Sequence, residues 1–554
     1  MRRRATFIHD GASEFNPESV QVTKDRFFLP EIKAAREEQL KYSLDELPEE
    51  LQHVLINAHE LHLRWAPEHL YNTVAPYLSR LSPGLHVFYT PLEGGSDDLL
   101  CPLLRKAFDN DLKCRSPSHT FIKSANTPTE FSTTPALQYH SVLPDLDHLA
   151  AYLQRTVCPH SSLLCIHSTT LLSTADALDL SWDAISNTLT LTAFWSRPPS
   201  FLVDPEANTK TNDAWSLSID TPPTNSRVEV GILSSEPPSD DPHELTLSGF
   251  LTVLGKDTSP KPTRFSFPSR HHSIPASQPQ TYTATITEPQ GLHPTLRISF
   301  PNATALTPPS TAPPDAQCAL QIHLTLPSPI FVDPYALKPS DPNFVASHHI
   351  TAVHALAGYT DLEAPAYLPS PWGSTLLLTP SLPSTDNLHQ PAEATWDVTI
   401  PLHLRYLPPS PQSHLPTTLP WPTIYWACTA DSGTKFPINP FDRIHLGYDG
   451  AYGPRTMFYH LTPSNNSTRL TETLQVPVYD TSRLSPYTVE VVTLLCIVAG
   501  FAWVLVKLWP ALWKELQAYV PETVLTDKPM TKEWEEPVKG GPPPPAGVRR
   551  RVGG

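Results

Sequence analysis

Four short stretches carry side chains whose types suggest chemistry. His59-Glu60-Leu61-His62 looks like a zinc-protease motif. Zinc chelation from one helix needs two histidines at i and i+4, and here they stand at i and i+3. The spacing therefore predicts a helix end or the start of a strand. Asp145-Leu146-Asp147 has the form of the Asp-x-Asp that holds a divalent metal against a diphosphate in sugar transferases. It follows Pro144, and Leu146, Leu149, Ala150 and Leu153 recur behind it at helical spacing. Acidic residues at a helix start cap the helix, and that role is predicted here. His271-His272 and His348-His349 are adjacent pairs. Neighbours on a strand point to opposite faces, so neither pair is expected to grip one ion. The chain has no GxGxxG, P-loop or GxSxG. No catalytic, metal-binding or cofactor-binding residue is assigned from the sequence.

Cysteines allow covalent chemistry of another kind. Cys101, Cys114, Cys158, Cys165, Cys318 and Cys428 precede a long apolar run, and Cys496 lies inside it. None forms a CxxC, which argues against zinc. Six cysteines can make three disulfides in an oxidising compartment. Local pairing of Cys101 with Cys114 and of Cys158 with Cys165 is the expectation carried forward.

The elements that must position these residues are mainly strands. Of 554 residues 65 are proline, against an ordinary share of about 5%. Proline at this density interrupts helices and favours short strands and turns. Leu47, Leu51, Val54, Leu55, Ala58 and Leu61 predict a helix behind the acidic start Asp45 to Glu50. Leu85–Tyr89, Thr188–Trp195 and Arg227–Leu233 read as strands. Alternation is clearest over Trp396, Val398, Ile400, Leu402, Leu404 and Tyr406, and recurs over Cys318–Leu326, Leu245–Val253 and Leu296–Phe300. These patterns predict a mainly β chain: an antiparallel sandwich-like region with an α+β N-terminal part. The expected division is 1–205 (α+β), 206–284 (linker and β-rich), 285–485 (β-rich), 487–509 (membrane helix) and 510–554 (disordered tail).

Val491–Val506 carries no charge, and with its flanks reaches the roughly 20 residues a bilayer requires. Tyr487, Trp503, Trp509 and Trp513 sit where interfacial aromatics belong. Lys507, Lys514, Lys528, Lys532 and Arg549–Arg551 follow the run, which places the C-terminus in the cytosol and the N-terminal region in the lumen. The start, MRRRATFIHD, is basic but lacks an apolar core, so no cleavable signal peptide is expected. Sequons at Asn302, Asn465 and Asn466 are the candidate N-glycosylation sites. Cys496, Ala499 and Gly500 offer a small-residue face for helix packing. A net charge of -16 argues against nucleic acid as a partner.

One block is more specific than any of these. Phe436-Pro437-Ile438-Asn439-Pro440-Phe441-Asp442-Arg443 precedes Leu446-Gly447-Tyr448-Asp449, Tyr452-Gly453-Pro454 and Met457-Phe458-Tyr459-His460-Leu461. With Pro401–Tyr406 and Ile330–Tyr335, these motifs resemble the PIG-X family, and within it the fungal Pbn-type members. The resemblance covers roughly 285–510; Gly249–Gly255 and Phe265–His271 extend a fungal likeness further towards the N-terminus. It implies a non-catalytic subunit in the endoplasmic reticulum membrane. Such a subunit stabilises the multi-span PIG-M-like mannosyltransferase that adds the first mannose to the GPI precursor. It implies no cofactor and no catalytic residue, and leaves room for a wider role in the folding of lumenal proteins. The prolines, glycines and aromatics of the 436–461 block allow either tight turns and a core corner of the sandwich or a docking surface, and for the second Arg443 and Tyr448 are the candidates. Two alternatives of other classes are a general lumenal folding factor and a metal-dependent glycosyltransferase acting through Asp145 and Asp147.

Overall fold

The computed structural model describes residues 2–9, 15–92, 94, 98–123, 136–158, 163–199, 214–220, 227–236, 244–290, 292–362, 364–383, 395–431, 439, 441, 443, 445–464, 469–483 and 485–519. The chain forms two compact units, Met1–Asp480 and Thr481–Gly554.

The larger unit is mainly β, as the proline content and the alternating patterns predict. Its first sheet has eleven strands, in the order Lys261–Pro268, Glu244–Val253, Arg227–Ser235, Arg2–His9, Ala35–Ser43, Thr188–Trp195, Ala177–Asp183, Ala58–Ala66, Gly84–Pro91, Leu137–Ser141 and Ile122–Lys123. All pairs are antiparallel except Arg2–His9 beside Arg227–Ser235. Strands from 206–284 thus complete a sheet begun by the first 205 residues. One face of this sheet is apolar: Ala5, Phe7, Leu61, Leu63, Trp65, Leu85, Val87, Tyr139, Leu178 and Leu191 are buried there. Helices Glu49–Ile56, Leu100–Ala107, Asp147–Thr156 and Leu163–Leu172 and a three-stranded sheet built on Arg26–Ile32 belong to the same side.

Residues 271–477 form a second, sandwich-like part. A six-stranded sheet runs His271–Ser273, Thr456–His460, Thr423–Thr429, Gln317–Pro327, Gly373–Pro380 and Ile350–Gly358. A four-stranded sheet contains Trp396–Pro401, His293–Phe300, Thr281–Gln290 and Thr462–Pro463. Leu320, Ile322, Leu324 and Leu326 face Leu296, Ile298, Val398 and Ile400 in one core. These are the residues that alternation selects, and the period of 2 is the reason they share a side.

Some boundaries differ from the sequence pattern. The helix at Glu49 ends at Ile56, and a strand starts at Ala58, so Leu61 belongs to the strand. The strand at Trp396 ends at Pro401; Leu402 and Leu404 stay buried but Tyr406 is 69% exposed. The second unit contains a helix, Pro486–Tyr519, which runs ten residues past the boundary expected at 509. Residues 520–554 of the expected tail lie outside the described residues.

Three disulfides close the larger unit. Cys101–Cys114 and Cys158–Cys165 are the two local pairs expected. Cys318–Cys428 joins residues directly opposite each other on neighbouring strands, with Cα atoms 4.0 Å apart.

Candidate functional site

Across four of its strands the second face of the eleven-stranded sheet is polar yet buried, while Ile8, Ala35, Phe194, Leu233 and Phe267 form an apolar cluster elsewhere on it. In Ala58–Ala66, Leu61, Leu63 and Trp65 point into the apolar core, so Glu60, His62 and Arg64 must point the other way. The same alternation directs His86 and Phe88, Gln138 and His140, and Asp179 to that side. Register aligns them in two rows across four strands. One reads Asp179, Arg64, His86, His140; the next reads Ser181, His62, Phe88, Gln138.

Another sheet covers this face. Strand Gln317–Pro327 sends its leucines into the sandwich core and leaves Gln321, His323 and Thr325 on the opposite side, all buried. Tyr425, Phe458 and His460 take the matching positions on the neighbouring strands. Ser82 Oγ and Thr325 Oγ1 are 2.9 Å apart. His271 Nδ1 lies 2.9 Å from His460 Nε2. The rings of His86 and His140 are 4.6 Å apart, and those of His323 and Tyr448 5.6 Å. His62, His86, His140, His271, His323 and His460 are each no more than 6% exposed.

The described part of the block at 436–461 fills this layer. Phe441 packs edge-on against Tyr77, with ring centroids 5.7 Å apart. Arg443 Nε is 2.8 Å from Asp179 Oδ2, while Arg64 Nε is 3.6 Å from Asp179 Oδ1. His445 has φ 60° and stacks on His62 at 4.2 Å. Asp449 holds this turn by accepting from the amides of His445 and Leu446 at 2.9 and 2.8 Å. Gly447 has φ 86°, and a Cβ there would stand 3.1 Å from Gln138 Nε2; this is a position where only glycine fits without strain. Tyr448 donates its hydroxyl hydrogen to the Arg80 carbonyl at 3.0 Å.

This placement corrects the expectation that Arg443 and Tyr448 form a docking surface. The Tyr448 residue is 1% exposed and the Arg443 side chain 8%. Both fasten the N-terminal sheet to the sandwich from inside. Phe436–Ile438, Pro440, Asp442 and Ile444 lie outside the described residues.

Electrostatics in the layer follow from burial. It pushes His86 down to about 4 and His323 and His460 to about 3. His62 falls to about 2, through burial first and then His445 and Arg64. His140 and His271 lie well below the ordinary histidine value, again mainly by burial. These six imidazoles are neutral at neutral pH. Burial also opposes the charge on Arg443, but Asp179 and Tyr71 more than offset it and raise its pKa.

Ligand atoms of Glu60, His62 and His445 lie within 4.8 Å of one another. Neither ring nitrogen of His62 has a hydrogen-bond partner. The two rings, however, are nearly parallel, at 17°. An ion in the plane of one ring would stand off the plane of the other, so this arrangement does not chelate as it stands. His59-Glu60-Leu61-His62 is the start of a strand, one of the two forms its spacing allows. Asp145 accepts from the Asp147 amide at 3.1 Å at the start of helix Asp147–Thr156.

The remaining predicted residues stand apart from the layer. Asn302 is exposed; its Oδ1 accepts from the Thr304 hydroxyl at 2.8 Å. Asn465 and Asn466 lie outside the described residues. In the second unit, Pro486–Glu515 is long and apolar enough to cross a membrane, with a mean hydropathy of 2.5 in its most apolar stretch. That helix fits a single-pass membrane protein. Cys496, Ala499 and Gly500 are exposed on it, and open space surrounds the position a Gly500 Cβ would take.

The comparisons with known proteins agree with the motifs that fill the layer. The family model described as PIG-X / PBN1 matches residues 289–509. The protein pbn1 of Aspergillus oryzae is 43% identical, over 93% of this chain and 97% of its own length. That of Emericella nidulans is 42% identical, over 92% and 95%. The chain belongs to the PIG-X/PBN1 family. Neurospora crassa pbn1 is 38% identical over 93% of this chain and 96% of the relative, so the likeness includes the N-terminal sheet as well as the sandwich. PIG-X/PBN1 membership supports a role in GPI-anchor biosynthesis.

Proposed function

We propose that this chain is the non-catalytic subunit that stabilises the endoplasmic reticulum mannosyltransferase adding the first mannose to the GPI precursor. The observation that carries this reading is family likeness over nearly the whole chain together with one helix of membrane length among the described residues. A single helix can pack against a larger bundle; in lipid, small residues allow the close approach that dispersion needs. The face containing Cys496, Ala499 and Gly500 is the proposed contact with the multi-span catalytic subunit. The larger unit is assigned to the lumen and the C-terminus to the cytosol. Three disulfides suit an oxidising compartment. An exposed sequon at Asn302 suits the same side.

Two experiments test the proposal. Depletion followed by quantitative proteomics should show loss of one multi-span mannosyltransferase and of GPI-anchored proteins. Broad loss of unrelated secreted proteins would instead favour a general lumenal folding factor. Gly500→Leu should reduce recovery of the transferase while the larger unit stays folded, and unchanged recovery would reject the helix contact.

A further inference from the structure

Large apolar side chains are exposed together at one place on the sandwich. Leu362, Tyr367, Leu368 and Tyr406 are 50, 68, 64 and 69% exposed. They belong to two neighbouring segments, because the Ala366 amide donates to the Tyr406 carbonyl at 2.9 Å. Tyr367 and Leu368 follow that bond in a turn, closed by the Leu368 amide on the Pro365 carbonyl at 3.0 Å.

Buried Arg405 fixes this display. Its guanidinium donates to the carbonyls of Ser328, Tyr359, Asp361 and Ala364. It also lies over the rings of Phe331 and Tyr359, 4.0 and 5.1 Å from their centroids. The loop's carbonyls are thus satisfied on the inside, while Leu362, Tyr367 and Leu368 face out. Tyr406 stands between buried Arg405 and Leu407, which packs on the sandwich core. Single exposed apolar side chains are ordinary on a protein surface; a group held outward by a buried cation is not.

The patch is close to where the chain leaves the larger unit. The Ser410 amide donates to the Tyr479 carbonyl at 3.1 Å, and Ser410 bridges to Asp480, the last residue of that unit. Tyr406 is four residues before Ser410, a reach of at most about 14 Å. Pro486, which opens the helix of membrane length, is six residues after Asp480, at most about 22 Å of chain. Composition narrows the kind of surface the patch suits. Tyr359–Leu368 contains Asp361 and Glu363 but neither Lys nor Arg. Attraction to anionic lipid needs exposed basic residues. Tyrosine and leucine suit the boundary between headgroups and acyl chains, where a phenol ring is covered and its hydroxyl stays wet.

We propose that Leu362, Tyr367, Leu368 and Tyr406 insert into the headgroup boundary of a zwitterionic phospholipid bilayer, so that the larger unit rests on the membrane its own chain enters. This depends on the membrane reading of Pro486–Glu515 and not on the mannosyltransferase.

The test places the full chain, one copy per nanodisc and with no other protein, in phosphatidylcholine that carries a diazirine near the glycerol end of one acyl chain. After irradiation, mass spectrometry maps the labelled residues. Label is expected within the helix and also over 362–368 and at Tyr406. It should be absent at Ile185, which is 87% exposed between strands Ala177–Asp183 and Thr188–Trp195. The double variant Leu368→Asp/Tyr406→Asp changes exposed side chains only. It should lose label at the patch, keep it in the helix and keep the wild-type urea midpoint. A patch labelled no more than Ile185, beside a labelled helix, would overturn the proposal and leave a protein as the occupant. A variant still labelled at the patch would overturn it too, as would labelling that requires phosphatidylserine. A chain labelled at neither place would overturn the membrane reading as well.

Discussion

Acidification should loosen the larger unit before any carboxylate of ordinary pKa is protonated. His62, His86, His323 and His460 are held neutral by burial, with values of about 2, 4, 3 and 3 against 6.5 for a free imidazole. The folded chain therefore binds fewer protons than the unfolded chain below 6.5. Their contribution is complete above 6.5 and is lost progressively as pH falls towards the folded values. One pH unit costs about 1.4 kcal/mol for each such group. Between about pH 7.5 and 5.5 the four together should cost roughly 5 kcal/mol, before His140 and His271 are counted. That is comparable with the whole stability of many domains, about 5–15 kcal/mol. Glu38 and Asp257, with lowered pKa values, stay ionised in this window and do not contribute. The assay is urea denaturation of the full chain at both pH values, followed by tryptophan fluorescence. Trp65, Trp182, Trp195, Trp215 and Trp426 are buried and report on the opening of the larger unit. A midpoint that does not change with pH would show that the histidine layer is hydrated or charged when folded, and would refute the reasoning.

Three further predictions concern covalent and ionic links. Asp179→Ala leaves Arg64 and Arg443 buried without their shared anion and should cost about 3–5 kcal/mol, seen as a lower urea midpoint. Replacing Cys318 and Cys428 by serine removes a link across 110 residues and should cost about 4–5 kcal/mol; the same change at Cys158 and Cys165, separated by 7, should cost roughly 2 kcal/mol. Comparing the urea midpoints of the two double variants checks that order. Asn302→Gln should remove one glycan, seen as a single step in gel mobility that disappears when wild type and variant are both deglycosylated.

The sheets were legible where alternation was strict. Thr188–Trp195 begins and ends where its pattern does, because one side faces an apolar core. Cys101–Cys114 and Cys158–Cys165 were legible because the partners are close in sequence. Cys318–Cys428 was not, since only the register of two distant strands brings those sulfurs together. The histidine layer was missed for a related reason. A strand with one polar side ordinarily faces water, and nothing local in Ala58–Ala66 or Gln317–Pro327 states that another sheet covers it. A usable signal was the residue type: those polar positions carry His, Gln and Thr, such as His62, His86, Gln138, His140, Gln321, His323 and Thr325. Water-facing positions more often carry Lys and Glu. The block with Arg443 and Tyr448 allowed two readings, a core corner of the sandwich or a docking surface, and motif strength does not distinguish a buried fastening from an exposed contact.

The proposed membrane complex with a mannosyltransferase is open to direct isolation by affinity purification. A C-terminally tagged chain would be recovered from mild-detergent microsomes, and half the eluate deglycosylated. A multi-span mannosyltransferase in equal amount and a mobility shift on deglycosylation are expected. A chain recovered without the transferase and without a shift would contradict both the complex and the lumenal placement of the larger unit.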